Sequence, residues 1–157
     1  MQAWTIEAYG DSTAFQPKEI DRPEVSDGKV LVRIAATSLN PKDVMQRQGA
    51  FYDPLPAVLH SDFSGEIEAV GGGVSGFVAG DKVYGSAGGI AGQQGALADY
   101  MLVDAAQVGL APTSLAIEES AALPLVALTA WEGLVEKGKL QAGQRVLVHG
   151  GVGGVGH

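Results

Sequence analysis

Apolar residues recur along this chain in short, glycine-punctuated runs, and up to about residue 117 nearly every run has the length and alternation of a strand. Residues 1 to about 25 read as two short strands joined by the turn Tyr9-Gly10-Asp11-Ser12, with Arg22-Pro23-Glu24 leading out. Past the turn Ser26-Asp27-Gly28-Lys29, Val30, Val32 and Ile34 alternate with Leu31, Arg33 and Ala35, which predicts a strand with one strongly apolar face and one mixed face. Asn40-Pro41-Lys42-Asp43 breaks the pattern with the grammar of a helix start. Asn stands at the N-cap, Pro at the first helical position, and an acid lies near the positive end of the helix dipole. That helix should run to about Gln48 and stop at Gly49. Pro54 and Pro56 then disfavour both helix and central strand, so residues 51 to 56 read as a loop and a candidate pocket rim.

Alternation returns with Phe63, Gly65, Ile67 and Ala69 on one face and Ser64, Glu66, Glu68 and Val70 on the other. Glycines at 71, 72, 73, 76 and 80 mark turns, Asp81 to Gly85 another short strand, and Ser86 to Ala96 a loop. Ala98 to Val103 and Gln107 to Leu110 are two further strands. About seven short strands with one small helix predict a mainly β fold, a partly open β-barrel. The period changes at Ile117, where a helix begins that is interrupted by Pro124. Its second piece places Leu125, Leu128, Trp131 and Val135 at helical spacing, with Trp131 read as core and Gly138 as the C-terminal cap. Last comes Gln144 to His149, whose consecutive Val146, Leu147 and Val148 suit a strand buried on both faces of a parallel sheet.

Composition narrows the class. An apolar share of 46% in 157 residues is enough for an ordinary core, and 23 glycines, about twice the usual ~7% share, agree with many tight turns. The formal charge of −8, with no run of basic residues, argues against nucleic-acid binding. No secretory signal or membrane-length apolar run is read, so a cytoplasmic protein without a membrane partner is expected. Cysteine is absent, which removes disulfides, a thiol nucleophile and every cysteine-based zinc site.

The chemistry-bearing stretch is the glycine run that follows the last strand. Gly151, Gly153 and Gly156 fit a G-x-G-x-x-G spacing, which lets a backbone turn tightly, approach a pyrophosphate and open a helix whose N-terminus faces the negative charge. The confirming helix and acidic residue would lie beyond His157. The chain is therefore read as one domain of a larger enzyme followed by the threshold of the next.

Four stretches together carry a resemblance: Asn40-Pro41-Lys42-Asp43; Ser61-Asp62-Phe63-Ser64-Gly65 through Ala69-Val70-Gly71; Gly80-Asp81-Lys82-Val83-Tyr84-Gly85; and Leu123-Pro124-Leu125 through Leu128-Thr129-Ala130-Trp131. They resemble the medium-chain dehydrogenase/reductase superfamily, in particular its zinc-independent quinone oxidoreductase (zeta-crystallin-like) branch, and Val146 to Gly156 is similar to that branch's nucleotide loop. The resemblance implies a GroES-like catalytic domain over residues 1–122 and, over 123–157, the first strand and glycine loop of a Rossmann NAD(P)-binding domain. It further implies NADPH as hydride donor, with NADH also open, and a quinone or activated enone as acceptor. An enoyl-thioester reductase of the same fold is the nearest alternative, and a non-catalytic GroES-like binding module is a third. A homodimer is the expected assembly of the full-length protein.

By the same resemblance, Asn40, Lys42, Asp43 and Tyr52 are the candidate catalytic residues, and Asn40, Tyr52, Thr129, Gly151, Gly153, Gly154, Val155 and Gly156 the candidate nucleotide contacts. The aromatic position of the pattern falls on Phe51, one residue before Tyr52. Structural roles compete. Asn40 and Asp43 would also be explained by helix capping, worth roughly 1 kcal/mol, and Thr129 by a bond to a carbonyl one turn earlier. No zinc is expected, because the zinc-dependent relatives' first catalytic cysteine would fall near Asn40 to Asp43 and their histidine aligns with Ser61. His60, one position early and standing where the branch usually has glycine, is read as an exposed loop residue.

Overall fold

The computed structural model describes residues 1–51 and 54–157 and consists of two antiparallel sheets with short helices packed at one end. Strands β1 (Gln2–Ile6), β2 (Phe15–Glu19) and β4 (Ala57–Val58) form a three-stranded sheet in the order β2-β1-β4. The larger sheet has the order β7-β3-β5-β6-β8, built from β3 (Lys29–Thr37), β5 (Asp62–Val70), β6 (Lys82–Ser86), β7 (Tyr100–Asp104) and β8 (Val108–Leu110). A bridge between Ala3 and Ala98 joins β1 to the segment leading into β7. The mainly β architecture expected from the strand count, and from the GroES-like domain that the resemblance implies, is the one observed, with β4 as an addition. Two residues are too few to show a period, so β4 was not visible in the sequence.

The core is made by Val30, Val32, Phe63, Ile67, Val83, Met101 and Val103, all 2% exposed or less. Each such side chain contributes about 1.5–3 kcal/mol on burial. On β3, Val30 and Val32 of the predicted apolar face are buried and Ile34 half-buried, and Leu31 of the mixed face is buried too. Register shifts between Leu31 and Val32 and between Ile34 and Ala36 bend β3 against β5. The register then places Thr37 opposite Phe63, so the residues just after β3 face those that begin β5.

Helix α1 (Pro41–Arg47) follows at once and is fastened at both ends. Gly49, with φ 91°, ends it in the left-handed conformation expected of that glycine. Arg47 Nη1 donates to the Gly10 carbonyl at 2.7 Å while the Gly10 N–H donates to the Arg47 carbonyl at 3.0 Å, which pins α1 to the turn between β1 and β2. Buried Gln46 donates from Nε2 to the Gly89 carbonyl.

The C-terminal third departs from expectation in two places. Helices α2 (Ile117–Ser120) and α3 (Pro124–Trp131) form on either side of the predicted break, and a π-helical turn spans Glu132–Lys137. However, Trp131 is 59% exposed and Leu128 58%, so the face read as core has no covering layer among the described residues. Gly138 is the C-terminal cap as expected, with a right-handed φ of −75°, and Lys139 after it takes the left-handed conformation at φ 50°. Residues 144–149 join no sheet, and Leu147 is 81% exposed. The pattern of Val146 to Val148 suits a central strand, but such a strand forms only with neighbours to complete its ladder and cover both faces.

Two glycines of β5 and its exit matter for contact rather than for turning. A methyl group added at Gly65 would land on the Arg33 carbonyl and stand 2.8 Å from Val32 Cγ1, and one at Gly71 would collide with the Ser26 main chain. Gly71 is thus a close-approach position, whereas Gly73, Gly76 and Gly80 have φ of 77°, 86° and 94° and are turn residues as expected. Because a backbone carbonyl cannot give way, Gly65→Ala should cost about 3 kcal/mol, the upper range of overpacking. Denaturant unfolding checks this, and a loss below about 0.5 kcal/mol would show that β3 and β5 can separate there at little cost.

Candidate active site

The antiparallel register that sets Thr37 against Phe63 brings Ser38 and Asn40 to the start of β5, where Asp62 is fully buried. Asp62 Oδ2 accepts from Ser38 Oγ at 3.0 Å and from Asn40 Nδ2 at 2.9 Å, while Oδ1 accepts from the backbone N–H of Leu125 at 3.1 Å. Leu125 lies in the first turn of α3, so the carboxylate also satisfies one of that helix's otherwise unpaired N-terminal donors. Thr37 Oγ1 donates to the Asp62 main-chain carbonyl at 2.6 Å.

This geometry separates the two roles considered for Asn40. Its backbone occupies the N-cap of α1, and its N–H donates to Asp43 Oδ2 at 2.8 Å, but its side chain accepts nothing from the helix. The reciprocal half of the capping pair runs through the backbone instead, where the Asp43 N–H donates to the Asn40 carbonyl at 2.9 Å. The expected side-chain cap is therefore absent, because the amide is engaged by Asp62. Asp43 does serve the helix start, and its other oxygen accepts from Lys42 Nζ at 3.0 Å. Asn40 and Asp43 are buried, whereas the Lys42 side chain is 27% exposed.

Thr129 Oγ1 donates to the Leu125 carbonyl at 2.7 Å and is exposed on α3, the back-bonded arrangement that competes with a ligand role. The glycine run is folded as successive turns, with Gly153 N–H donating to Gly150 O at 2.9 Å and Gly156 N–H to Gly153 O at 3.0 Å. It lies beside α3, where a Cβ on Gly154 would be 3.4 Å from Val126 Cγ1, and Val155 is 47% exposed. Gly151, Gly153, Gly154 and Gly156 offer a phosphate no side-chain obstacle, so this stretch suits a nucleotide sterically. The α3 helix is therefore the strut common to both groups: Asp62 and Asn40 meet its first turn, while Thr129 and the glycine run lie along it. Tyr52 lies outside the described residues.

His60 is corrected from an exposed loop position to a half-buried one with φ 67°. The left-handed conformation explains why glycine suits the position. Its ring meets Phe15 edge-on at 6.4 Å, and Nδ1 is 3.4 Å from Thr37 Oγ1. Burial pushes its pKa below the ordinary histidine value and Lys42 adds to this, while Asp43 and Asp62 oppose it. Sequence reasoning missed Asp62 as a site residue, although it stands inside one of the motifs that carried the resemblance. An acid between Ser61 and Phe63 at the start of an apolar strand was the available signal.

The alcohol dehydrogenase GroES-like domain family matches residues 26–113. The chain is 40% identical to a 2-methylene-furan-3-one reductase of Solanum lycopersicum, over 99% of the chain and 42% of that protein. It is 37% identical to a chloroplastic NADPH-dependent alkenal/one oxidoreductase of Arabidopsis thaliana, over the same shares. Among solved structures, an alcohol dehydrogenase superfamily protein from Novosphingobium aromaticivorans superposes with a TM-score of 0.94 at 42% identity, covering 100% of this chain and 48% of the other. A quinone oxidoreductase from Coxiella burnetii gives 0.87 at 31%, covering 100% and 51%. A mycobacterial protein solved in complex with NADPH gives 0.87 at 29%, covering 99% and 47%. The chain belongs to the alcohol dehydrogenase GroES-like domain family, within the medium-chain dehydrogenase/reductase superfamily that its motifs resemble. It spans about half the length of the proteins it matches. No helix among the described residues is long and apolar enough to cross a membrane.

The depressed His60 pKa has a consequence for stability. A histidine held neutral in the folded state contributes stability that is present above about pH 6.5, its unfolded value, and is lost as pH falls from there towards the folded pKa. The ring is partly open to solvent, so the slope should be only a fraction of the roughly 1.4 kcal/mol per pH unit of a full proton. Unfolding free energies measured at pH 7.5 and 5.5 should diverge less in His60→Asn than in the parent chain. Equal divergence would place the titration elsewhere.

Proposed function

We propose that this chain supplies the substrate-side half of an NADPH-dependent oxidoreductase that delivers hydride to the β-carbon of an enone, or to a quinone. One observation carries the reading. Asn40 is buried, its amide is held by one of its two N–H bonds against Asp62, and its second N–H is left for a ligand. The relatives' names add the acceptor class, since the two reductases named above act on a methylene-furanone and on alkenals or enones. In this reading residues 1–122 are the catalytic domain and residues 123–157 begin the nucleotide domain. The proposed assembly is a homodimer, and the proposed setting cytoplasmic.

When bound, NADPH supplies the hydride. Gly151, Gly153, Gly154, Val155 and Gly156 would hold its phosphates through the backbone, and Thr129 would turn from the Leu125 carbonyl towards the nicotinamide end. As negative charge develops on the acceptor's oxygen, the Asn40 Nδ2–H donates to it. Such a donor is worth more in the transition state than in the ground state because it is already oriented in a water-poor pocket. Lys42 Nζ, held at 3.0 Å from Asp43, adds a positive charge two residues on and a proton that can follow the hydride. The buried Asp43 carboxylate fixes where that ammonium stands.

Replacing Asn40 by alanine tests this assignment. In an enzyme with its nucleotide domain complete, kcat should fall by about 10² while KM changes less, as for loss of an oxyanion donor. The fold should lose about 1 kcal/mol for the missing bond to Asp62. A destabilised but fully active Asn40→Ala enzyme would sink the catalytic assignment.

A further inference from the structure

Asp62 accepts from three donors on two stretches of chain: Ser38 and Asn40 on the link from β3 to α1, and Leu125 in the first turn of α3. All three donate to it, which is the pattern an acceptor-only carboxylate satisfies. The consequence for Asn40 is directional. A carboxylate repels a carbonyl oxygen, so the amide can meet Asp62 only through Nδ2, and a flipped amide that presented Oδ1 to Oδ2 would be rejected. One Nδ2 proton is then committed to Asp62 and the other is spared in a fixed direction. Through Oδ1 the same carboxylate holds the Leu125 N–H, and with it the start of the helix that carries Thr129.

We propose that Asp62 is a positioning residue of the reductase site, which fixes the Asn40 amide so that its second N–H faces the acceptor and locks α3 in register with it. The proposal rests on the reading of Asn40 as the oxygen's donor. Asp62 itself touches neither acceptor nor nucleotide and acts through the groups it holds. The carboxamide of Asp62→Asn has the same shape but only one oxygen, so it must turn an NH2 towards Leu125 N–H or towards the Ser38 and Asn40 donors. The clamp cannot be reproduced by shape alone.

The test is a double-mutant cycle on kcat with an enone acceptor, using Asp62→Asn, Asn40→Ala and the pair, in an enzyme with its nucleotide domain complete. Asp62→Asn alone should lower kcat by about 10-fold to 10²-fold, the scale of a misplaced catalytic group. In the Asn40→Ala background the loss should be clearly smaller, because only the hold on α3 is then left to lose. An equal loss in both backgrounds would mean that Asp62 acts only through the fold, and would overturn the proposal while leaving Asn40 in its role. Wild-type turnover in Asn40→Ala would overturn both.

A second readout needs no turnover. In the 157-residue chain, Asp62→Asn should move the Asn40 side-chain amide signals of a ¹⁵N spectrum towards the values of a free amide. Signals that stay in place would overturn the clamp. If Asp62→Asn does not fold, Asp62→Glu, which keeps the charge and shifts the carboxylate by one methylene, takes its place in both measurements with the same expected outcomes.

Discussion

A carboxylate removed from water must be met by donors, and at Asp62 that requirement reaches across the whole fold. Unpaired, such a group would cost several kcal/mol; here Ser38, Asn40 and Leu125 satisfy it from segments up to 63 residues away in sequence. The strand register delivers the first two, because β3 and β5 run antiparallel and Thr37 pairs with Phe63. Leu125 is delivered by the break at Pro124, which ends one helical piece, starts the next and leaves the new helix's first amides pointing outwards for a partner. The same contact therefore joins sheet, loop and helix.

The apolar core makes this polar centre affordable in stability terms. Phe63, immediately after Asp62, is fully buried, and Val30, Val32, Ile67 and Val83 pack with it in the same cluster. Close strand approach at Gly65 brings β3 and β5 together just beyond the site, so the positions of Ser38 and Asn40 relative to Asp62 are set by backbone rather than by flexible side chains. Helix α1 adds a second constraint, since its C-terminus is tied to Gly10 and its N-terminus to the Asn40–Asp43 pair. Side chains held in this way rest on strands and helices, which is what the proposed role of Asn40 requires.

Legibility followed the range of the interactions. The Asn40-Pro41-Lys42-Asp43 helix start, the Gly49 stop, and the strands around Val30, Phe63, Val83 and Met101 were readable because each is decided within a few residues by alternation, a proline's fixed φ or a glycine's freedom. The direction of the Asn40 side chain was not, because the choice between capping α1 and bonding Asp62 is settled by a residue 22 positions away. Trp131 and Val146 to Val148 mark the opposite limit. Their patterns say that a face is to be covered without saying by what, and among the described residues nothing covers them. His60 hid for yet another reason: its depth follows from Phe15 and Thr37 closing over a left-handed backbone that no local pattern announces.

The two sets of candidate residues consequently differ in physical state. Asn40, Asp43 and Asp62 are buried and bonded to one another, with their donors and acceptors already committed in fixed directions. Thr129, most of the glycine run, Leu128 and Trp131 stand exposed, with Thr129 bonded to its own helix. A donor that must meet developing charge gains from being oriented before the ligand arrives, since reorganisation during the reaction would add to the barrier. A backbone loop that grips a phosphate has no such need, because its hydrogen bonds are of similar strength before and after hydride transfer and contribute uniformly to binding. The groups proposed to meet a changing charge are buried and bonded, and the glycine loop proposed to hold a phosphate stands exposed.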